Sequence, residues 1–176
     1  MPDKKRIALV TGASSGLGRE FARLLAREAG DELGLVARAA ERLRALAAEV
    51  ALPCRIFALD LTQEASLENL SAVLSAEPVT VRWLVNAAGF GRIGMAADIG
   101  AATTGRMIAL NCRAAAELTE RVLPYMERGS RVLEIASCAA FQPIPYLAAY
   151  AATKAFLLRY SRAPRPPPPA RGCSAR

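Results

Sequence analysis

The sequence contains no histidine and no Cys-x-x-Cys pair. The missing imidazoles exclude every histidine-based catalytic triad, and the missing cysteine pairs exclude the usual spacings of zinc sites. We therefore expect no metal site. The four cysteines lie far apart, at positions 54, 112, 138 and 173. Cys54 and Cys112 are expected to be small core residues, because a free cysteine packs like an apolar side chain.

Long apolar runs are also missing, although 53% of the residues are hydrophobic. No run approaches the roughly 20 residues that a membrane helix needs. The basic residues 4–6 precede only four apolar residues, which are too few for the core of a signal peptide. We therefore expect a cytoplasmic protein with no membrane segment, and its 176 residues predict a single domain.

Acidic residues are absent from the last part of the chain, and this absence explains most of the net charge of +7. Residues 155–176 contain five arginines and no acid, so residues 1–154 carry a net charge of only +2. No basic stripe interleaved with aromatic residues is present, so we predict no nucleic-acid partner. Because proline cannot continue a helix, the Pro- and Arg-rich residues 164–176 are predicted to be a disordered tail after a domain of residues 1–163.

Short apolar runs alternate with longer segments of helical spacing along the chain. The predicted strands are residues 5–10, 32–37, 54–59, 81–86 and 131–137. The predicted helices are residues 16–29, 40–51, 62–77 and 146–161, and the region 101–127 is predicted to be helical, weakly near 101–110 and strongly from 111 to 127. Thr62 is the predicted N-cap of the third helix. The apolar positions of the first helix are Leu17, Phe21, Leu24 and Leu25. This alternation predicts an α/β protein with a parallel sheet, in which the apolar third strand is buried on both faces.

Three glycines follow the first predicted strand in the pattern Thr-Gly-x-x-x-Gly-x-Gly. Gly12 allows a tight turn, Gly16 leaves room for a phosphate, and Gly18 lets the next helix pack closely on the sheet. The free N–H groups and partial positive charge of that helix N-terminus suit a pyrophosphate. The alternative is a glycine-rich turn that binds no ligand.

Arg38 follows the second predicted strand, where dinucleotide-binding proteins place the residue that reads the ribose. An acid at this place would bind the 2′-hydroxyl of NAD, whereas an arginine suits the 2′-phosphate of NADP. The sequence therefore favours NADP(H), with NAD(H) possible. The alternative is a solvated surface arginine, since Arg42 and Arg44 lie close by in the sequence.

Tyr150 and Lys154 are four residues apart in the last predicted helix and so lie on one face of it. A lysine cation beside a phenol favours the phenolate form, which a free phenol reaches only in alkaline solution. Ser137 ends the fifth predicted strand, at the edge of a parallel sheet where ligands bind. A serine there can donate a hydrogen bond to a substrate carbonyl.

Taken together, these motifs resemble those of the short-chain dehydrogenase/reductase family over about residues 5–163. The glycine pattern, the Asp-Leu pair at 60–61, the Asn-Ala-Ala-Gly run at 86–89, Asn111, Ser137 and the Tyr-x-x-x-Lys motif occur in the order that the family has. The resemblance implies a Rossmann-like, doubly wound parallel sheet with three αβα layers and the strand order 3-2-1-4-5.

The resemblance also implies the role of each matched residue. Tyr150 is the acid/base that exchanges a proton with the substrate oxygen, and Ser137 orients and polarises the carbonyl. Lys154 holds the nicotinamide ribose and favours the Tyr150 phenolate, and Asn111 binds a water of the proton relay. Residues implied to bind the cofactor, beside Lys154 and Arg38, are Gly12, Ser14, Ser15, Gly16, Leu17, Gly18, Asp60, Leu61, Asn86 and Ala87.

The sequence departs from the family after the Tyr-x-x-x-Lys helix, where the family's sixth and seventh strands and substrate-covering segment are missing. We expect a truncated member whose fifth strand is an exposed edge. Two functions follow from these observations. The first is an NADP(H)-dependent oxidoreductase that acts on a small-molecule carbonyl or alcohol substrate, as a homodimer or homotetramer. The alternative is a non-catalytic nucleotide-binding fragment.

Overall fold

A computed structural model describes residues 4–28 and 30–163 and shows five strands and six α-helices in alternation. The strands are β1 (Lys5–Thr11), β2 (Glu32–Ala37), β3 (Cys54–Ala58), β4 (Val79–Asn86) and β5 (Arg131–Glu134). The helices are α1 (Gly16–Glu28), α2 (Ala40–Glu49), α3 (Glu64–Ala76), α4 (Ala96–Ile108), α5 (Ala115–Val122) and α6 (Ala148–Arg162). The predicted tail at 164–176 lies outside the described residues, so the division into domain and tail stays a prediction.

The five strands form one parallel sheet in the order β3-β2-β1-β4-β5, which confirms the predicted order. The register aligns the carboxyl ends of the central strands. Thr11 at the end of β1 pairs with Val36 in β2 and with Asn86 in β4, and Asn86 pairs with Glu134 in β5. The loops that leave these strands therefore meet at a single edge of the sheet.

Helices cover both faces of the sheet, because side chains that are adjacent in a strand point to opposite faces. Val10 of β1 packs with buried residues of α1 and α2 on one face. Leu9 packs with buried residues of α3 and α5 on the other. The buried helix residues on these two faces are Ala22, Leu25, Leu43 and Leu46, and Leu67, Leu70, Leu74, Leu118 and Val122, respectively. The predicted three-layer αβα fold is confirmed.

Both outer strands are less buried than their apolar sequences suggest. Within the described part of the chain, β3 pairs only with β2, and of its five residues only Phe57 is buried, so the prediction of burial on both faces is wrong. An apolar run of this kind is compatible with either a central strand or an edge strand. The other outer strand, β5, pairs only with β4 among the described strands and ends at Glu134, three residues before the predicted end.

Helix ends and helix faces differ locally from the prediction. The predicted cap is wrong, because Gln63 occupies the N-cap of α3 without a side-chain cap bond and the Thr62 hydroxyl donates to Asp60 instead. The predicted helix at 101–127 is α4 and α5 joined by a π-helical segment, Ala109–Ala114. On α1, Leu17 and Leu24 are exposed, because the face toward the sheet is formed by Gly18, Ala22 and Leu25. Cys54 and Cys112, both predicted to be core residues, are only half-buried.

Candidate active site

The loop between β1 and α1 passes close to the start of the loop that follows β4. Gly12 has a φ of +67°, and a Cβ at this position would lie 2.9 Å from the carbonyl group of Ala87. A Cβ on Gly18 would lie 2.7 Å from the carbonyl carbon of Gly12 and still closer to its oxygen. Side chains at either position would push the loop away from its neighbours. This crowding explains the first and third glycines of the motif.

Gly16 differs from the other two glycines because the space beside it is open. Its φ is +53°, it begins α1, and a Cβ there would meet no atom within 4 Å. Ser15 and Leu17 on either side are exposed, and Ser14 is half-buried. The first N–H groups of a helix have no partner inside the helix. This first turn therefore fits the pyrophosphate of a dinucleotide.

Thr11 joins the glycine loop to the loop after β4, a role that the sequence reasoning missed. Its hydroxyl donates to the carbonyl of Val85 at 3.3 Å and accepts from the N–H groups of Ala87 and Ala88, both at 3.0 Å. Thr11 is buried, so these bonds are shielded from water. Ala87 is thereby fixed against Gly12, at the place where the resemblance puts the adenosine side of the crevice.

Arg38 and Asp60 follow β2 and β3 at the same edge of the sheet. The Asp60 carboxylate accepts bonds from the backbone N–H of Thr62 at 3.0 Å and from its hydroxyl at 2.8 Å. The N–H bond, the hydroxyl bond and the nearby Arg38 charge keep the pKa of Asp60 below its usual value. Arg38 itself is exposed. Leu61 is buried in the core, so a contact between Leu61 and adenine would have to come from its backbone.

The Asn86 side chain forms its hydrogen bonds inside the protein. Its amide nitrogen donates to the hydroxyl of Thr119 at 2.9 Å and to the carboxylate of Glu134 at 3.0 Å. Only 4% of the residue is exposed. Asn86 therefore ties β4 to β5 and α5, and any contact that it makes with a cofactor would come from its backbone.

Asn111 holds the loop after β4 against α6. It is completely buried in the π-helical segment, and its amide oxygen accepts from the N–H of Phe90 at 3.0 Å. Its amide nitrogen donates to the carbonyl of Phe90 at 2.9 Å and to the hydroxyl of Thr153 at 3.0 Å. The oxygen and the nitrogen of the amide are therefore both occupied by hydrogen bonds within the protein. Asn111 lies in a π-helical segment, and such segments often occur at functional sites. The water contact predicted for Asn111 stays a prediction.

Tyr150 and Lys154 are one turn apart on α6, as predicted, and Lys154 is 6% exposed. The Lys154 Nζ donates to the carbonyl of Ile135 at 2.6 Å and lies 5.8 Å from the centre of the Tyr150 ring. Burial lowers the pKa of the ammonium, although the nearby Cys112 and Glu134 oppose this shift. A lysine held in this way places a fixed positive charge next to the phenol.

Ser137 caps a short 3-10 turn, Cys138–Ala140, that follows β5. Its Oγ accepts from the N–H of Ala139 at 3.2 Å, and the Sγ of Cys138 lies 3.9 Å away. Because Oγ accepts from the backbone, its own proton can be donated to a ligand. Ser137 and Tyr150 are both half-buried.

Gly91 is a second residue that the sequence reasoning missed. A Cβ at Gly91 would lie 2.7 Å from Cδ2 of Tyr150, so the backbone of the loop after β4 packs directly on the phenol ring. A Cβ at Gly89 would lie 3.0 Å from Oδ1 of Asn111. The Gly-x-Gly spacing after the fourth predicted strand is the signal that could have indicated this close approach.

The family model of the short chain dehydrogenases matches residues 6–166, which is most of the chain. The chain belongs to this family. It is 34% identical over 169 residues to a very-long-chain 3-oxoacyl-CoA reductase of Aspergillus fumigatus, covering 88% of this chain and 47% of that protein. It is 29% identical over 154 residues to an uncharacterised oxidoreductase of Staphylococcus epidermidis, covering 86% of this chain and 66% of that protein.

Solved structures of short-chain dehydrogenases share the fold. A short-chain dehydrogenase from Sphingobium yanoikuyae in complex with NADPH aligns with a TM-score of 0.77 and 34% identity, over 89% of this chain and 63% of that one. A metagenomic short-chain oxidoreductase in complex with NADP aligns with a TM-score of 0.79 and 32% identity, over 89% and 73%. This short-chain dehydrogenase spans between about half and two thirds of the length of the curated relatives.

Neither a membrane-spanning helix nor a metal-binding group occurs among the described residues of this chain. None of its described helices is both long enough and apolar enough to cross a membrane. In the same residues, no three His, Cys, Asp or Glu side chains are grouped so that they could hold a metal ion.

Proposed function

We propose that this short-chain dehydrogenase is an NADP(H)-dependent oxidoreductase that interconverts a carbonyl compound and the corresponding alcohol. The observation that carries the proposal is the buried Lys154, whose Nζ is fixed by the carbonyl of Ile135 beside the ring of Tyr150. Burying a charged amine costs free energy, which the hydrogen bond from Nζ to the carbonyl of Ile135 offsets only in part. Here the ammonium group lies beside the ring of Tyr150, the residue that the proposal makes the proton donor and acceptor.

In this proposal each side chain of the site has a separate task. Tyr150 passes its proton to the substrate oxygen during reduction and takes one from the alcohol during oxidation. Ser137 donates a hydrogen bond to the same oxygen and orients it. Lys154 binds the nicotinamide ribose, and Asn111 supports the proton relay while it holds the loop after β4 in place. When bound, the nicotinamide supplies or accepts the hydride.

The cofactor would lie across the carboxyl edge of the sheet. Its pyrophosphate would bind at the open turn of Gly12, Ser14, Ser15, Gly16, Leu17 and Gly18. Arg38 would pair with a 2′-phosphate, which favours NADP(H) over NAD(H), and Asp60, Leu61, Asn86 and Ala87 would line the adenosine. Two solved relatives contain NADPH or NADP, which supports a nicotinamide cofactor of this kind.

The names of relatives support a carbonyl substrate. One relative is a 3-oxoacyl-CoA reductase, and another, 30% identical with a TM-score of 0.76, is an alcohol dehydrogenase from Comamonas testosteroni that is specific for bulky-bulky ketones. Both reactions involve a ketone. The homodimer or homotetramer and the cytoplasmic location remain predictions.

A non-catalytic nucleotide-binding role is the second candidate. It is favoured by the half-exposed Tyr150 and Ser137, because water at the reacting groups weakens the electrostatic interactions on which catalysis depends. In this case the glycine loop would bind NADPH while the catalytic side chains turn over no substrate. Both candidate functions involve NADPH binding, and they differ in whether a substrate is converted.

The first experiment is a fluorescence titration of the purified chain with NADPH, and of the Arg38→Ala and Arg44→Ala variants. Arg44 is the matched control, because it is also an exposed arginine, on α2, and its guanidinium pairs with Glu41. We expect saturable binding, weakened about tenfold by Arg38→Ala through loss of a charge-assisted pair and unchanged by Arg44→Ala. No saturable binding by a folded chain would refute both candidates.

A second measurement separates the two candidates. NADPH oxidation is followed in the presence of a ketone, with the parent chain and with Tyr150→Phe. Turnover that is lost in Tyr150→Phe, while NADPH binding is kept, supports the oxidoreductase. NADPH binding without turnover in either chain supports the non-catalytic role.

A further inference from the structure

The loop between β3 and α3 contains Asp60 and Leu61, which the proposed function places beside the adenosine of the cofactor. The Asp60 carboxylate accepts from the N–H and from the hydroxyl of Thr62, and the Asp60 carbonyl accepts from the N–H of Gln63 at 3.0 Å. Asp60 and the residues that follow it therefore form one compact turn. The carbonyl of Thr62 is not used by these three bonds.

Arg113 binds the Thr62 carbonyl from a distant part of the sequence. Its Nη2 donates to that carbonyl oxygen at 2.5 Å, and the two residues are 51 positions apart. A charged donor makes a stronger hydrogen bond than a neutral one. Arg113 thus connects the turn of Asp60 to the π-helical segment that precedes α5.

The π-helical segment, Ala109–Ala114, holds two loops of the site at once. Asn111 is completely buried and binds Phe90 in the loop after β4. Arg113 is exposed and binds Thr62 in the loop after β3. Residues two positions apart in a helix do not share a face, so one short segment can serve both loops.

The helix α3 is held in place independently of Arg113. Arg121 of α5 pairs with Glu64 in the first turn of α3, and Leu67 and Leu70 of α3 are buried in the core. Removing the Arg113 guanidinium should therefore release the turn of Asp60 while α3 keeps its position.

We propose that Arg113 is a positioning residue for the adenosine half of the cofactor site. By holding the Thr62 carbonyl, it fixes the turn from which the Asp60 carboxylate and the Leu61 backbone would meet the adenosine. The inference rests on the proposed cofactor site and deepens it. Arg113 differs from Arg38, because Arg38 is expected to bind the 2′-phosphate itself.

Binding of the cofactor and of its two halves to the intact chain tests the proposal. The probes are NADPH, 2′,5′-ADP, which is the adenosine half, and reduced nicotinamide mononucleotide, which lacks the adenosine, each titrated by NMR. Arg113→Met removes the donor but keeps most of the apolar stem, and Arg113→Lys keeps the charge. Arg106→Met is the matched control, because Arg106 is also an exposed arginine, on α4, and donates to Thr103 of its own helix at 3.3 Å.

We expect Arg113→Met to bind NADPH and 2′,5′-ADP about fivefold more weakly, which is the effect of losing one hydrogen bond of average net strength. Arg113→Lys should lose less affinity, about twofold, because its amine can still donate to the carbonyl. Reduced nicotinamide mononucleotide should bind equally to all four chains, and Arg106→Met should bind all three probes as the parent chain does.

Three results would overturn the inference. The first is an unchanged affinity of Arg113→Met for NADPH and 2′,5′-ADP. The second is an equal loss of affinity for reduced nicotinamide mononucleotide, which would show that the change disturbs the whole site. The third is an equal loss in Arg106→Met, which would show that only the net charge of the protein matters.

Ketone-dependent oxidation of NADPH separates this inference from the proposed function. If the parent chain turns over a ketone and Arg113→Met binds NADPH normally, the inference is wrong and the function stands. If Arg113→Met shows the selective loss but the parent chain turns over no ketone, the inference stands and the oxidoreductase proposal is wrong. If the folded parent chain binds neither NADPH nor 2′,5′-ADP, both are wrong.

Discussion

Replacing Gly18 by alanine tests the packing of the cofactor loop without touching a ligand. The new methyl group would lie 2.7 Å from the carbonyl carbon of Gly12, which is backbone and cannot rotate away. Overpacking of this kind costs about 1–3 kcal/mol, and contact with backbone places it near the upper end of that range. Alanine returns at most about 1 kcal/mol through its higher helix propensity. We therefore expect a net loss of about 1–2 kcal/mol.

Gly105→Ala is the matched control for this prediction. Gly105 is also a glycine in a helix, α4, but a Cβ there would meet no atom within 4 Å. The same chemical change should therefore stabilise the protein by about 0.5–1 kcal/mol. The two variants should differ by roughly 2–3 kcal/mol in the free energy of unfolding.

Urea unfolding measures this difference, with the single tryptophan, Trp83 in β4, as the fluorescent probe. The midpoint should fall for Gly18→Ala and rise for Gly105→Ala, and an unchanged slope would show that the unfolded state is the same. Gly18→Ala with a midpoint equal to that of the parent would refute the close packing of α1 on the glycine loop. A similar decrease in both variants would refute the steric explanation.

Three other predictions concern polar groups of the fold and the site. Thr119→Val should destabilise the protein by about 1–3 kcal/mol in urea unfolding, because it removes the hydroxyl that contacts the buried carboxylate of Glu134; an unchanged midpoint would contradict this role. The pKa of Asp60 is lowered in the folded state, so its contribution to stability is present above its unfolded pKa and is lost as the pH falls through the folded pKa. In Asp60→Asn, the free energy of unfolding should therefore fall less steeply with decreasing acidic pH than in the parent chain. An equally steep fall in both chains would contradict this prediction. Lys154→Met should abolish ketone reduction yet raise the melting temperature, because it removes a buried charge; a strongly lowered melting temperature would instead assign Lys154 a structural role.

The sequence was sufficient to predict the two helical layers from the alternation of apolar runs and helical periods, and the order of the strands through its resemblance to the family. It was insufficient for the burial of β3. The apolar run from Cys54 to Ala58 has the pattern of a central strand, although the predicted strand order places it at the edge of the sheet, and in the structure only Phe57 of this strand is buried. The cap of α3 was missed for a local reason, since Thr62 can bond either to its own helix or to Asp60.

The site was predictable where a motif has a fixed spacing, as for Tyr150 and Lys154 on one face of α6. It was not predictable where a side chain acts through contacts that are distant in sequence. Thr11 bonds to residues 76 and 77 positions away, and no local pattern indicates those partners. Gly91 reveals its role only once the Tyr150 ring is seen to pack on it.

The first four residues of the loop after β4 are anchored at both ends by single side chains. Thr11 holds its beginning through Ala87 and Ala88, on the nucleotide side, and Asn111 holds Phe90 on the catalytic side. Fewer than five residues separate the two anchoring contacts, so the backbone between them can move little. A change at one anchor that shifts the loop also moves the other half of the site. The nucleotide half and the catalytic half of the site are therefore coupled mechanically, because a displacement of this segment on one side changes the geometry of the other.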